Sequence, residues 1–167
     1  MYMGHFGIAL GARRWLRPLP LVWLLFASIA PDLYDALAGL MPALDTGGIS
    51  HTLPGAVGAA ISFALATALI YRNGTLALGV GLLALSHTAT DYLTSRMPVW
   101  PDGPSTGLYL YATPWADFLL ESAVITLGLL LYARSPDLRH PARAGLIGMG
   151  ALMIALQGVW NFVIAGR

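Results

Sequence analysis

Three histidines and five acidic residues lie inside or at the edges of apolar stretches of this chain: His5, Asp32, Asp35, His51, His87, Asp91, Asp117 and Glu121. Imidazole nitrogen and carboxylate oxygen are ligands of zinc and similar ions. Ionisable groups at membrane depth are costly and mark functional positions. Their spacing adds to the signal. His87 and Asp91 stand at i and i+4, as do Asp117 and Glu121, and Asp32 and Asp35 stand at i and i+3. Each pair therefore shares one helix face, so it can present two donors to one point. The chain has no cysteine, so thiolate sites and disulfides are excluded and any metal must be held by His and Asp/Glu.

The elements that must position these residues are helices in a membrane. Of 167 residues, 57% are hydrophobic and 10% charged, against about 25% charged in soluble domains. Five stretches, residues 19–40, 52–71, 74–94, 114–133 and 144–165, approach the roughly 20 apolar residues that cross a bilayer. Met3 to Ala12 is too short to cross and reads as a half-helix. The expected fold is one all-α polytopic bundle over residues 1–167, with five spans and an N-terminal half-helix. Arg13, Arg14 and Arg17 before an apolar run imitate a signal peptide, but Pro31 behind the small-residue stretch 27–30 argues against cleavage. The net charge of +1 gives no argument for nucleic acid.

Arginine placement orients the bundle. If residues 13–17 are cytoplasmic, alternation puts seven arginines on that side and only Arg96 and Arg167 on the other. The loop 41–51 and the Pro- and Gly-rich loop 95–113 then face outward, the latter long enough to act as a lid. Counting about 1.5 Å per residue from the inner ends places Asp32, His87 and Glu121 near one level, roughly 20 Å up in the outer half. A half-helix rising from Arg13 leaves His5 only about 12 Å up, short of that level, whereas entry from outside brings it there. Five acids with only Arg96 nearby would mostly protonate. Divalent ions supply the missing counter-charge. The lack of lysine in the chain sharpens this point.

Each residue also has a plain structural reading. Pro31-Asp32 can mark a kink, Asp35 can face water, and His51 can be a loop residue beside a helix cap. Asp117 can favour the positive helix N-terminus. Trp100, Tyr109, Tyr111 and Trp115 suit the membrane interface, and His140 the arginine-rich surface. His87 with Asp91 resists such readings most.

Taken in order, Gly4-His5, Pro31-Asp32-Leu33-Tyr34-Asp35, Gly48-Ile49-Ser50-His51-Thr52 and Ser86-His87-Thr88-Ala89-Thr90-Asp91 resemble the signatures of the YdjM-type (LexA-regulated) membrane-bound metal-dependent hydrolases. Gly47 stands where that family's pattern has an arginine. The ligand order is also similar to that of the zinc-dependent phospholipase C and S1/P1 nuclease group, with His87-x-x-x-Asp91 matching one helix pair and Asp117-x-x-x-Glu121 a second, Asp standing for His. The resemblance implies two or three zinc ions held by His5, Asp32, Asp35, His51, His87, Asp91 and Glu121, with Asp91 as a bridge. It implies Asp35 or Asp117 as general base, and Arg96 as a phosphate contact. The expected activity is hydrolysis of a phosphoester or ester of a lipid or amphiphile by metal-activated water, from the outer leaflet of the cell (inner) membrane. The alternative is a divalent-cation or proton transporter, or a metal-binding protein without hydrolysis. The inner halves of the central spans offer transport little beyond Ser62, Thr67 and Thr126.

Overall fold

In the computed structural model the chain is helical, with one small hairpin. The structure describes residues 1–41, 49–136 and 140–164, and the side chains of 140–144 are set aside. Gly47, Gly48, Arg139 and Arg167 lie outside the described residues, as do the side chains of His140 and Arg143.

Among the described residues seven α-helices follow in order: α1 Gly4–Ala12, α2 Leu21–Ser28, α3 Ala30–Leu40, α4 Leu53–Tyr71, α5 Gly74–Thr94, α6 Pro114–Ala133 and α7 His140–Val159. The last continues as a π-turn over Trp160–Ile164. Local sequence accounts for the starts of α4 and α5. Thr52 accepts from the Gly55 amide and Asn73 from the Leu76 amide, so each helix begins on a side-chain cap. Within the loop 95–113, Met97 and Pro98 pair with Thr106 and Ser105 in a two-stranded ribbon. That ribbon is pinned across the ends of α4 and α5, where Leu53 N–H donates to the Val99 carbonyl and the Tyr92 hydroxyl to the Pro98 carbonyl.

The five-span expectation needs correction. Among the described residues three helices are long and apolar enough to cross a membrane, Leu53–Tyr71, Pro114–Ala133 and Gly145–Ile164, with a fourth crossing if α2 and α3 count as one broken span. The break is a 76° bend between them. It falls at Ile29, whose ψ of 26° leaves the helical region just before Pro31. A proline there removes an amide donor and its ring crowds the carbonyl four residues back, so the helix cannot run straight through. The fifth expected span, α5, has length enough at 21 residues. Its last eight residues carry His87, Thr88, Thr90, Asp91 and Thr94, which lowers its hydropathy. The residues that make it a site element are the ones that disqualify it as a plain span.

The half-helix is present and lies beside α6. Gly7 and Gly128 make that approach possible. A Cβ on Gly7 would come within 2.8 Å of the Ile125 Cα, and a Cβ on Gly128 would collide with the Gly7 carbonyl. Small residues let backbones close to this distance, where dispersion replaces the missing hydrophobic drive in lipid. The two helices run the same way, from Gly4 beside Glu121 to Arg14, whose guanidinium donates to the Arg134 carbonyl. Leu16, Leu19, Leu24, Leu76, Val80 and Leu83 pack as one buried cluster between this arginine end and the polar residues of α5.

Candidate metal centre

The polar residues separate into two groups, one open at Asp32 and one enclosed. The first gathers His5 from α1, Asp32 and Asp35 from α3, His51 from the turn Ile49–His51, and His87 and Asp91 from α5. Two sets of donor atoms lie close enough to hold an ion, His5 with His87 and Asp91, and Asp32 with His51 and His87. The i, i+4 spacing on α5 works as its periodicity requires, with His87 Nε2 lying 3.1 Å from Asp91 Oδ2. The bend at Ile29 swings α3 over the bundle, so Asp32 Oδ1 comes within 3.0 Å of His51 Nε2 and 3.6 Å of His87 Nε2. Asp91 Oδ1, on the other side, lies 3.2 Å from His5 Nε2, and the His5 and His87 rings stack with centroids 3.9 Å apart. The Met1 nitrogen donates to the same Asp91 oxygen and to Thr94 Oγ1, at 2.5 and 2.6 Å.

The outer nitrogens of the three rings decide what the inner ones can do. His87 Nδ1 lies 3.0 Å from the Ser28 carbonyl, an acceptor only, so Nδ1 carries the proton and Nε2 presents a lone pair. His51 Nδ1 lies 3.0 Å from Asp35 Oδ2, and the Ser50 hydroxyl donates to Asp35 Oδ1 at 2.5 Å. Thr90 donates its hydroxyl to the Ser86 and His87 carbonyls, which leaves its oxygen to accept from His5 Nδ1 at 3.4 Å. Each of the three rings thus has an oxygen partner at Nδ1 and turns Nε2 inward. Metal-binding histidines are oriented in this way by outer partners.

The inward atoms fit an ion. His5 Nε2 and His87 Nε2 are buried and make no aligned hydrogen bond, although Asp91 oxygens lie just over 3 Å away. His51 Nε2 stands 4.0 Å from Asp91 Oδ2. Asp32 Oδ1, His51 Nε2, His87 Nε2 and Asp91 Oδ2 are thus separated by 3.0–4.0 Å along the four edges named. Zinc bonds of about 2.1 Å at tetrahedral angles put donors roughly 3.4 Å apart. Asp32, His51 and His87 on one side, and His5, His87 and Asp91 on the other, each bring donors close enough together to hold a cation. His51, in the turn before α4, registers the same field. Burial disfavours its charged form, but the hydrogen bond that its ring donates to Asp32 and the charges of Asp32, Asp35 and Asp91 outweigh that and hold its pKa above the ordinary histidine value. The mouth of the group is on the α3 side, where the Asp32 side chain is 53% exposed.

The second group is built on α6 and α7. Glu121 accepts the Tyr2 amide on both oxygens, at 2.9 and 2.8 Å, and the Gly4 amide at 2.9 Å. The Gln157 side-chain oxygen accepts the Met3 amide at 2.9 Å, and its nitrogen donates to Asn161. Asn161 in turn donates to Asp117 Oδ2 at 2.7 Å and to the Pro114 carbonyl. A helix N-terminus leaves amide donors without intrahelical partners, and inside a membrane no water meets them. Each such buried amide left open would cost about 1–3 kcal/mol. Glu121 and Gln157 remove that cost for α1.

The structure thus brings His5, Asp32, His51, His87 and Asp91 together, with Asp35 behind His51 rather than among the inward-facing atoms. Glu121 and Asp117 sit in the second group, and neither belongs to the two clustered donor sets. Arg96 is exposed, 5.5 Å from the Tyr109 ring centroid. The sequence reading missed Ser50, Thr90, Gln157 and Asn161. The last two had a signal, standing at i and i+4 in an otherwise apolar run. It also assigned Tyr111 to the interface alone. That phenol bonds Thr94, and burial first, then the charges of Glu121, Asp117 and Asp91, push its pKa up. Comparison with protein-family models, curated proteins and solved structures finds nothing that matches this chain.

Proposed function

We propose that the protein is a membrane-embedded, metal-dependent hydrolase that cleaves a phosphoester or ester of a lipid or other amphiphile. The observation that carries this reading is the inward turn of the three Nε2 atoms onto Asp32 and Asp91, each ring fixed from behind. The residues that would hold an ion are Asp32, His51 and His87 on one side and His5, His87 and Asp91 on the other. Zinc suits the His and carboxylate donors, and when bound it acidifies water and draws charge from an ester oxygen. The chain's own residues do the rest. Ser28, Asp35 and Thr90 keep the imidazoles in the ligating tautomer. Asp32, half exposed at the mouth, meets whatever enters. Asp35 lies behind His51 and would act through it.

An amphiphilic substrate is supported by a groove of about 570 Å³ beside the site, lined by Leu53, Tyr92, Leu93, Val99 and Leu108. With the arginine end cytoplasmic, the site opens to the outer leaflet of the cell membrane. The transport alternative needs a polar path onward from the site. The apolar cluster of Leu16, Leu19, Leu24, Leu76, Val80 and Leu83 lies where that path would run, and this favours hydrolysis. The test is purified protein in lipid nanodiscs, stripped and reloaded with zinc, offered phospholipid and lipid-phosphate substrates. Cleavage that follows zinc loading and disappears in His87→Ala/Asp91→Ala is expected. Zinc-dependent ion flux in liposomes without cleavage would replace this reading with transport.

A further inference from the structure

Glu121 is the residue whose chemistry and whose place disagree most. By type and spacing it belongs with the metal ligands. In the structure both of its oxygens are taken by the Tyr2 and Gly4 amides. Gln157 takes the Met3 amide between them, held by Asn161, which is anchored on Asp117. Three consecutive backbone amides at the start of α1 therefore end on side chains of α6 and α7.

The helix held in this way carries one residue of the metal group. His5 follows Gly4 directly, and its own outer contact, Thr90 at 3.4 Å, is the longest of the three histidines'. The contact of Gly7 with Gly128 fixes α1 against sliding along α6. What sets the height and rotation of His5 is the capture of the amides just before it.

We propose that Glu121, Gln157 and Asn161 are positioning residues that dock the start of α1 and thereby deliver His5 to the metal centre, and that Glu121 is not itself a ligand. This rests on the metal-site reading above. It divides the centre into a part built by α3, α5 and the turn at His51, and a part that exists only while α1 is docked.

The test uses the full chain in nanodiscs, with zinc affinity and stoichiometry by elemental analysis and the visible spectrum of the cobalt-loaded protein. The variants are His5→Ala, Gln157→Leu, their combination, and Glu121→Gln. Gln157→Leu is expected to weaken the His5-dependent ion by about 10–100-fold, the usual cost of losing an outer partner, and to give the cobalt spectrum of His5→Ala. The combined variant should bind no worse than His5→Ala alone. Glu121→Gln keeps an acceptor oxygen and should hold nearly the wild-type complement of ions. Met3→Pro breaks the same bond from the α1 side, at a φ of −74° that proline adopts. It should reproduce Gln157→Leu, and so covers the case in which that variant does not fold. Additive losses in the combined variant, or ion loss in Glu121→Gln as large as in His5→Ala, would overturn the inference. A wild type that binds no ion under any loading would instead overturn the metal reading itself.

Discussion

Two polar groups sit side by side in this bundle and are made of similar parts. In the group around His87 and Asp91, side chains point their lone pairs at one another, and their outer atoms are satisfied by Ser28, Asp35, Ser50 and Thr90. In the group around Glu121 and Gln157, the inward atoms are consumed by backbone amides of α1. The difference lies in where the satisfied ends are. A polar group finished on the inside is structural, whereas one finished on the outside and open on the inside has donors that could hold an ion. A membrane sharpens the contrast, since no water reaches the enclosed group on α6 and α7.

The largest effect should come from breaking the open group. His87→Ala with Asp91→Ala removes donors from both ion positions. Zinc content should fall to background, and hydrolysis should drop by more than the roughly 100-fold that loss of an outer partner costs. Retained zinc in that variant would show that the open group is not the binding site. Next come the outer partners. Asp35→Asn or Ser50→Ala should weaken zinc binding by about 10–100-fold while the helical content stays unchanged, because His51 loses its orientation. Titration of each variant with a competing chelator reads this directly.

The closed group should respond in stability. Gly128→Leu or Gly7→Leu drives a side chain into the α1–α6 contact and should cost about 1–3 kcal/mol, as overpacking does. Unfolding midpoints in detergent measure it, and His5-dependent metal binding should fall in step. The smallest effect concerns pH. Because His51 in the metal-free protein has a raised pKa, its contribution to stability is present in full below the ordinary histidine range. It is lost as pH rises through the raised value. Metal binding runs the other way and tightens over the same window, since the ion competes with that proton. A metal-free protein whose melting temperature climbs across that window would contradict the assigned neighbours of His51.

Much of this was legible in residue types and spacing. The pair His87 and Asp91 declares one helix face, Pro31 declares a break, and the absence of cysteine narrows the donors. The span count was harder, because a polar end on α5 and a bend after α2 each remove a helix from the apolar pattern. The fate of Glu121 could not be read, since Asp117 and Glu121 have the same spacing as a ligand pair. Only the docking of α1 shows that backbone amides claim that carboxylate. The difficulty with the depth of His5 had the same origin. Helical rise along one segment says nothing of a neighbour's register, which here is set by a glycine contact between α1 and α6.

The central claim is that Asp32, His51, His87 and Asp91 surround an ion. Anomalous scattering at the zinc edge from zinc-loaded crystals tests it most directly. The account predicts a strong peak within about 2.0–2.2 Å of His51 Nε2, His87 Nε2 and the carboxylates of Asp32 and Asp91, with a second peak between His5 and Asp91. Strong zinc peaks confined to other parts of the molecule, or a peak at the Glu121 carboxylate in place of the Tyr2 and Gly4 amides, would contradict it.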